Sequence, residues 1–296
     1  MMLRPIHFIA LLVINAAFGG AYLAGKAGVA HFPPLFFSAL RFALVTVLLA
    51  PFIRLSPGMR KQKTNIMLFC LFMGVGVYST MYLALHYADG VSVILICTQF
   101  SVPVSSFLGI WLLKERPSKK IWFGIWLAFA GVMAAGFDYA ILGYWPASLL
   151  ILLSATFYAG ANALSRRLRN AINVLNLNAW MGLISTPILL AASLLLENGH
   201  WESLATADIT DWSALLYSAI IVSLIGHVGM FSLLRHYPLS AVMPYYVLTP
   251  IFGIIGGILM FDETLSLRFL LCATVALIGV YIVNRAPHSA HAFGKL

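Results

Sequence analysis

Arg41 and His227, which can carry positive charge near neutral pH, fall well inside long apolar runs of this chain, and each offers a distinct chemistry. Arg41 stands seven residues into the run 34–53, about 10 Å from its start at a helical rise of 1.5 Å per residue. A guanidinium in an apolar layer costs about 2.5–3.5 kcal/mol on insertion scales. A carboxylate held bidentately would offset that cost and make Arg41 a recognition residue for an anionic group. Snorkelling to the near interface, or pairing with a carboxylate such as Glu263, would offset it equally and make Arg41 structural. His227 lies well inside the run 212–234, between Gly226 and Gly229. An imidazole titrates near neutral pH, so His227 is the candidate for moving a proton; a neutral histidine hydrogen-bonded between helices is the alternative. No Asp or Glu stands in the middle of any run, which confines carboxylate chemistry to run ends. Glu115 and Glu263 occupy two such ends, each three residues before a serine suited to cap the next element. That pattern reads as a fixed connection between packed helices.

Neutral polar and aromatic residues are scattered through the same runs. Tyr22, Tyr78, Gln99, Asn162, Trp180 and Tyr246, with Asn15, Tyr82, Tyr158 and Tyr245, must find partners if buried in an apolar medium. Mixed surfaces of this kind line cavities for small zwitterions. The candidate binding set is therefore Arg41, Tyr22, Tyr78, Gln99, Asn162, Trp180 and Tyr246, with His227 beside it. Lys26, just past Gly25, reads as a snorkelling side chain with a possible role in drawing anions. Hydrolytic and redox chemistries lack their signatures: the chain has no His-Glu-x-x-His, no Gly-x-x-x-x-Gly-Lys-Ser/Thr and no pair of mid-run carboxylates. Cys70, Cys97 and Cys272 are far apart with no metal-type spacing, so they read as small packing residues. No enzyme, cofactor or metal is expected.

The elements that must hold these residues follow from composition. Of 296 residues, 61% are hydrophobic and 9% charged, with mean hydropathy +0.94. Soluble domains run at about 45–50% apolar and about 25% charged. This excludes a soluble enzyme, a disordered chain or a nucleic-acid-binding domain. Ten apolar runs appear, at 6–24, 34–53, 65–84, 91–113, 121–137, 147–165, 174–196, 212–234, 241–261 and 269–283. A membrane-spanning helix needs about 20 apolar residues, and runs without polar/apolar alternation are not barrel strands. The first run is too long, and followed by too many others, for a cleaved leader. The fold expected is an all-α integral membrane protein of ten transmembrane helices. With the start of the chain inside, 15 of 18 Lys and Arg fall on the cytoplasmic side, while the loop carrying Glu197, Glu202, Asp208 and Asp211 has none. The positive-inside rule then puts both termini in the cytoplasm. The net charge of +9 is spent on topology, which leaves no reason to expect nucleic acid.

The chain also repeats itself. A shift of 148 superposes Gly109 on Gly257, Glu115 on Glu263, Ser118 on Ser266 and Gly131 on Gly279, and His86-Tyr87 echoes His236-Tyr237 at a shift of 150. Residues 1–140 and 141–285 thus read as two five-helix halves, with a cytoplasmic tail at 286–296. An odd number of spans per half inverts the second, an arrangement that secondary transporters use to build a site between halves. Ser101-x-x-x-Ser105-x-x-x-Gly109 and Gly253-x-x-x-Gly257 favour close helix contact, while Pro103, Pro187, Pro244 and Pro250 interrupt their runs and suit hinges.

The stretch Phe32-Pro-Pro-Leu-Phe-Phe-Ser-Ala-Leu-Arg41-Phe42, the two Glu-containing stretches, and Arg235-His-Tyr-Pro-Leu-Ser-Ala-Val-Met-Pro244 leading to Pro250 resemble the EamA-type proteins of the drug/metabolite transporter superfamily. The resemblance spans nearly the whole chain. It departs from the usual pattern in span four, where Pro103 precedes Glu115 by 12 residues while Pro250 precedes Glu263 by 13. Within the family, the chain looks most like bacterial exporters of O-acetylserine and cysteine. The resemblance implies a secondary exporter of amino-acid-like metabolites in the bacterial inner membrane, driven by protons or exchange. A broader exporter of drugs, aromatic amino acids or nucleobases is the second reading; a channel or a membrane enzyme is a third. The partners implied are a small-molecule substrate and the lipid bilayer, with the protein a monomer or homodimer.

Overall fold

The computed structural model describes residues 4–55, 57–113, 118–136, 145–237, 242–263 and 265–285. These form helices and connecting turns, with no strand among them. The long helices are α1 (Pro5–His31), α2 (Pro34–Phe52), α3 (Lys63–Tyr87), α4 (92–113), α5 (Lys119–Gly136), α6 (Trp145–Arg167), α7 (Val174–Leu196), α8 (Ile209–His236), α9 (243–261) and α10 (Leu267–Arg285). Two short helices, Pro57–Lys61 and His200–Thr206, cover loops. Six helices, α1, α2, α3, α6, α7 and α8, are long and apolar enough to cross a membrane, and α4, α5, α9 and α10 contain shorter apolar segments. Leu195, Trp111 and Leu259 stand at least three-quarters exposed, which suits contact with lipid tails and not water. Together these features make a multi-pass membrane protein.

Helix ends follow local chemistry. Phe32 and Pro33 adopt extended backbone after α1, and Pro34 opens α2 with its missing donor at an end that needs none. Asn173 accepts from the Asn176 amide to start α7, and Asp208 and Asp211 form a reciprocal capping box for α8. The apolar run of α1 stops near residue 24, yet the helix continues to His31. Lys26 can sit within it because its ammonium reaches the Leu85 and Ala88 carbonyls at the end of α3.

Several helices are internally irregular. π-helical turns occupy Cys70–Val77 in α3 and Tyr217–His227 in α8. A 3-10 turn, Thr98–Phe100, divides α4, and another, Met243–Val247, leads into α9. Pro103 and Pro250 each fall at the third residue of the α-helix that resumes after such a turn, where an absent donor is tolerated.

The packing repeats when the two halves are exchanged. α1 packs on α9 and α8, as α6 packs on α4 and α3; α2 pairs with α7, and α5 with α10. The α5–α10 crossing is the tightest. A Cβ added at Gly131 would strike the backbone of Ala276, and one added at Gly279 would strike the backbone of Ala128. Each of those pairs is the other displaced by 148 residues.

Candidate functional site

Midway along the bundle, α1, α3, α4, α6, α8 and α9 enclose a cavity of about 30 Å³. Its polar lining is Tyr22, Tyr78, Thr98, Ser101, Ser154, Tyr158, His227 and Tyr246, and its apolar lining includes Phe18, Met73, Met81 and Val222. The irregular helices supply much of this surface. Tyr78 follows the π turn of α3, His227 closes that of α8, and Thr98 and Tyr246 lie in the two 3-10 turns. π turns often occur at functional sites because they redirect side chains. Tyr158 stacks on Tyr246 with ring centroids 5.2 Å apart, and Phe18 meets both Tyr246 and His227.

Behind Tyr78 sits Arg41, wholly buried. Its Nε donates to the Ser218 carbonyl at 2.8 Å, and its Nη2 donates to Ser223 Oγ at 2.9 Å and Tyr78 Oη at 3.2 Å. Its Cζ lies 3.8 Å from the Tyr78 ring centroid and 4.6 Å from that of Phe42. Tyr78 Oη is also 2.9 Å from His227 Nε2. One hydroxyl therefore joins the two ionisable residues singled out in the sequence. Arg41 Nη1 and His227 Nδ1 are buried without a hydrogen-bond partner.

The other candidates are placed differently. Gln99 is buried with both amide atoms unpartnered, outside the cavity lining. Asn162 is buried, with its Nδ2 on Met243 Sδ at 3.8 Å. Trp180 is not brought to the cavity: its Nε1 points to the Arg54 carbonyl at 3.5 Å, near the start of α7. Glu263 does not pair with Arg41. Its carboxylate accepts from the Val91 and Ser92 amides, capping α4, and Gly90 and Gly257 leave room for it. Gly257 lies against Val91, so it serves close packing of α9 on α4. Gly109 lies in α4. Glu115 lies outside the described residues, as does the tail 286–296. Ser218 and Ser223 hold Arg41 without having been singled out beforehand. A serine in an apolar run carries no signal of its own; their spacing to His227 on one helix is the only hint.

A bundle of apolar helices with a mixed-polarity cavity lined by six of them suits a membrane transport protein. The chain belongs to the EamA-like transporter family, whose model matches it twice, over residues 6–137 and 145–285. It is similar to a "probable amino-acid metabolite efflux pump" of Salmonella typhimurium, 28% identical over 292 residues and 95% of both chains. A protein of the same description from Escherichia coli is 27% identical over 293 residues, again 95% of each. An uncharacterized transporter of Bacillus subtilis is 23% identical, covering 96% of this chain and 89% of its own. A solved crystal structure superposes with a TM-score of 0.63 at 14% identity, over 95% of this chain and 96% of that one; it speaks for the fold alone. Family and relatives are transporters, and the Salmonella and Escherichia coli relatives are described as efflux pumps.

Proposed function

We propose that the protein is a secondary exporter of small amino-acid-like metabolites in the bacterial inner membrane, working by alternating access. The observation that carries this reading is the cavity lining. It is drawn from three helices of residues 1–140 (α1, α3, α4) and from their counterparts in 141–285 (α6, α8, α9). Transporters built from inverted repeats bind substrate between the repeats, at discontinuous helices, and expose it alternately as the halves rock. In this reading the ten helices all cross the membrane as two inverted five-helix repeats, with α4, α5, α9 and α10 shorter or irregular. Both termini face the cytoplasm, as the distribution of Lys and Arg favours. Tyr22, Tyr78 and Tyr246 contact the substrate, and His227 is the residue through which a proton gradient would act. The relatives' description as amino-acid metabolite efflux pumps supports the substrate class.

The test is transport in proteoliposomes with labelled cysteine and O-acetylserine, with and without an imposed pH gradient. Saturable movement accelerated by the gradient is expected. Saturable movement indifferent to it would leave the carrier and move the coupling to exchange. Movement of drugs or nucleobases but no amino-acid metabolite would overturn the substrate class. His227→Ala should flatten the pH dependence; a mutant with the full dependence rules out histidine coupling.

A further inference from the structure

We infer that Arg41 anchors a substrate carboxylate, and that the cavity selects for this group and against cations. The inference deepens the carrier reading above and rests on it. Arg41 is a fully buried cation whose partners are all neutral: a backbone carbonyl, a serine hydroxyl, a tyrosine hydroxyl and the faces of the Tyr78 and Phe42 rings. No carboxylate among the described residues pairs with it, and its Nη1 has no hydrogen-bond partner. A buried charge without its counter-ion is an incomplete arrangement, since removing one member of a buried pair is strongly destabilising. On the far side of the Tyr78 hydroxyl, His227 Nδ1 is likewise buried and unpartnered. Two unfilled polar positions thus flank one hydroxyl, and that hydroxyl belongs to a residue lining the cavity.

The cavity volume of about 30 Å³ suits a water or two, so any metabolite must enlarge it. The Tyr78 ring separates the guanidinium from the cavity, and its displacement extends the cavity onto Arg41. A carboxylate arriving there replaces the tyrosine hydroxyl on Nη2 and fills Nη1, the bidentate geometry that guanidinium favours. No Asp or Glu among the described residues lines the cavity. A substrate ammonium meets neutral groups alone, the rings and hydroxyls of Tyr22, Tyr158 and Tyr246, the hydroxyls of Thr98, Ser101 and Ser154, and the His227 ring, which offer cation–π and neutral hydrogen-bond contacts weaker than an ion pair. Recognition therefore turns on the anion, which separates amino-acid metabolites from cationic drugs and neutral nucleobases.

The test is ligand-induced thermal stabilisation of the purified full-length protein in detergent, with four probes sharing one skeleton. These are S-methyl-L-cysteine, its methyl ester, 2-(methylthio)ethylamine, which lacks the carboxylate, and 3-(methylthio)propionate, which lacks the amine. Both carboxylates are expected to raise the melting temperature, and the ester and amine to leave it unchanged. Arg41→Met should abolish the response to both carboxylates. Should that variant fail to fold, Arg41→Lys serves: it keeps the charge but not the fork, and should weaken carboxylate binding about tenfold while retaining the preference over the ester. Equal responses to acid and ester, no response to either carboxylate, or an intact acid preference in Arg41→Met would overturn the inference. Carboxylate binding without transport in proteoliposomes would instead sink the carrier reading and leave the anion site standing. Binding of the propionate but not the amino acid would remove the amino-acid class alone.

Discussion

Tyr78 Oη is hydrogen-bonded to both Arg41 and His227, so Tyr78→Phe is a local probe of the site. The substitution keeps the ring beneath the guanidinium and deletes only the oxygen. It strands His227 Nε2 and removes one acceptor from Arg41, a loss of about 1–3 kcal/mol for unsatisfied buried groups. A lower thermal midpoint of the empty protein is expected, and an unchanged midpoint would mean that water fills the gap. A second residue-scale prediction lies outside the membrane. Hydrogen bonds from the backbone amides of Asp211 and Thr210 hold the Asp208 carboxyl below its usual range. A depressed carboxyl stabilises the fold above its unfolded value and loses that contribution as pH falls through the folded value. Acidification should therefore fray the start of α8 before the helices within the bundle, and amide exchange at Thr210 and Asp211 would register it. The residues of the site were legible to different degrees, for physical reasons. Arg41, His227, Tyr22, Tyr78 and Tyr246 are polar where an apolar medium penalises polarity, and that contrast is visible in one dimension. Ser223 is not, because serine is common in packed membrane helices, and Ser218 is not, because it acts through a backbone carbonyl that any residue would supply. Trp180 misled because an indole suits a cavity and a helix end equally well; its N–H is directed at the Arg54 carbonyl.

At the scale of elements, most helices could be drawn from apolar length alone, whereas their irregularities could not. A π turn changes the register of backbone hydrogen bonds without any compositional mark, yet the two here stand where Tyr78, Ser218 and Ser223 meet Arg41 and His227 meets Tyr78. The connections between elements give sharper tests. Glu263→Ala leaves the Val91 and Ser92 amides at the start of α4 without their acceptor, which should cost about 1–3 kcal/mol. Glu263→Gln retains one acceptor and should recover part of the loss. A Glu263→Ala protein as stable as the wild type would show that the carboxylate contributes nothing to the cap. At the α5–α10 crossing, Gly279→Ala forces a methyl into the backbone of Ala128 and should destabilise by about 1–3 kcal/mol through overpacking. The same change at Gly199, a surface position with open space but positive φ, should act only through local backbone strain. A Gly279→Ala protein as stable as the wild type would mean that the two helices do not approach this closely in the membrane.

For the whole molecule, the two ends of the bundle are fastened by different chemistry. At one end, two carboxylates from the second half each hold a pair of amides at the start of a first-half helix. Glu197 takes Leu35 and Phe36 at α2, and Glu263 takes Val91 and Ser92 at α4. A carboxylate at a helix start gains from the helix dipole as well as from the hydrogen bonds. At the other end a neutral tie joins the halves: Asn176 exchanges hydrogen bonds with the Arg54 backbone. In the proposed orientation the carboxylate-held end is the outer one, so export requires those two clasps to part while the substrate leaves. Replacing Glu197 and Glu263 together by Gln should shift the population toward an outward-open form, and a loss of about 1.4 kcal/mol across both would raise that population about tenfold. A reporter cysteine in place of Ala21, which lines the cavity, reads the opening once the three native cysteines are replaced. An impermeant maleimide added outside intact cells should label it faster in the double Gln protein than in the protein with both glutamates. Equal labelling rates would mean that the clasps hold the helices in place in every state and that the outer end opens somewhere else.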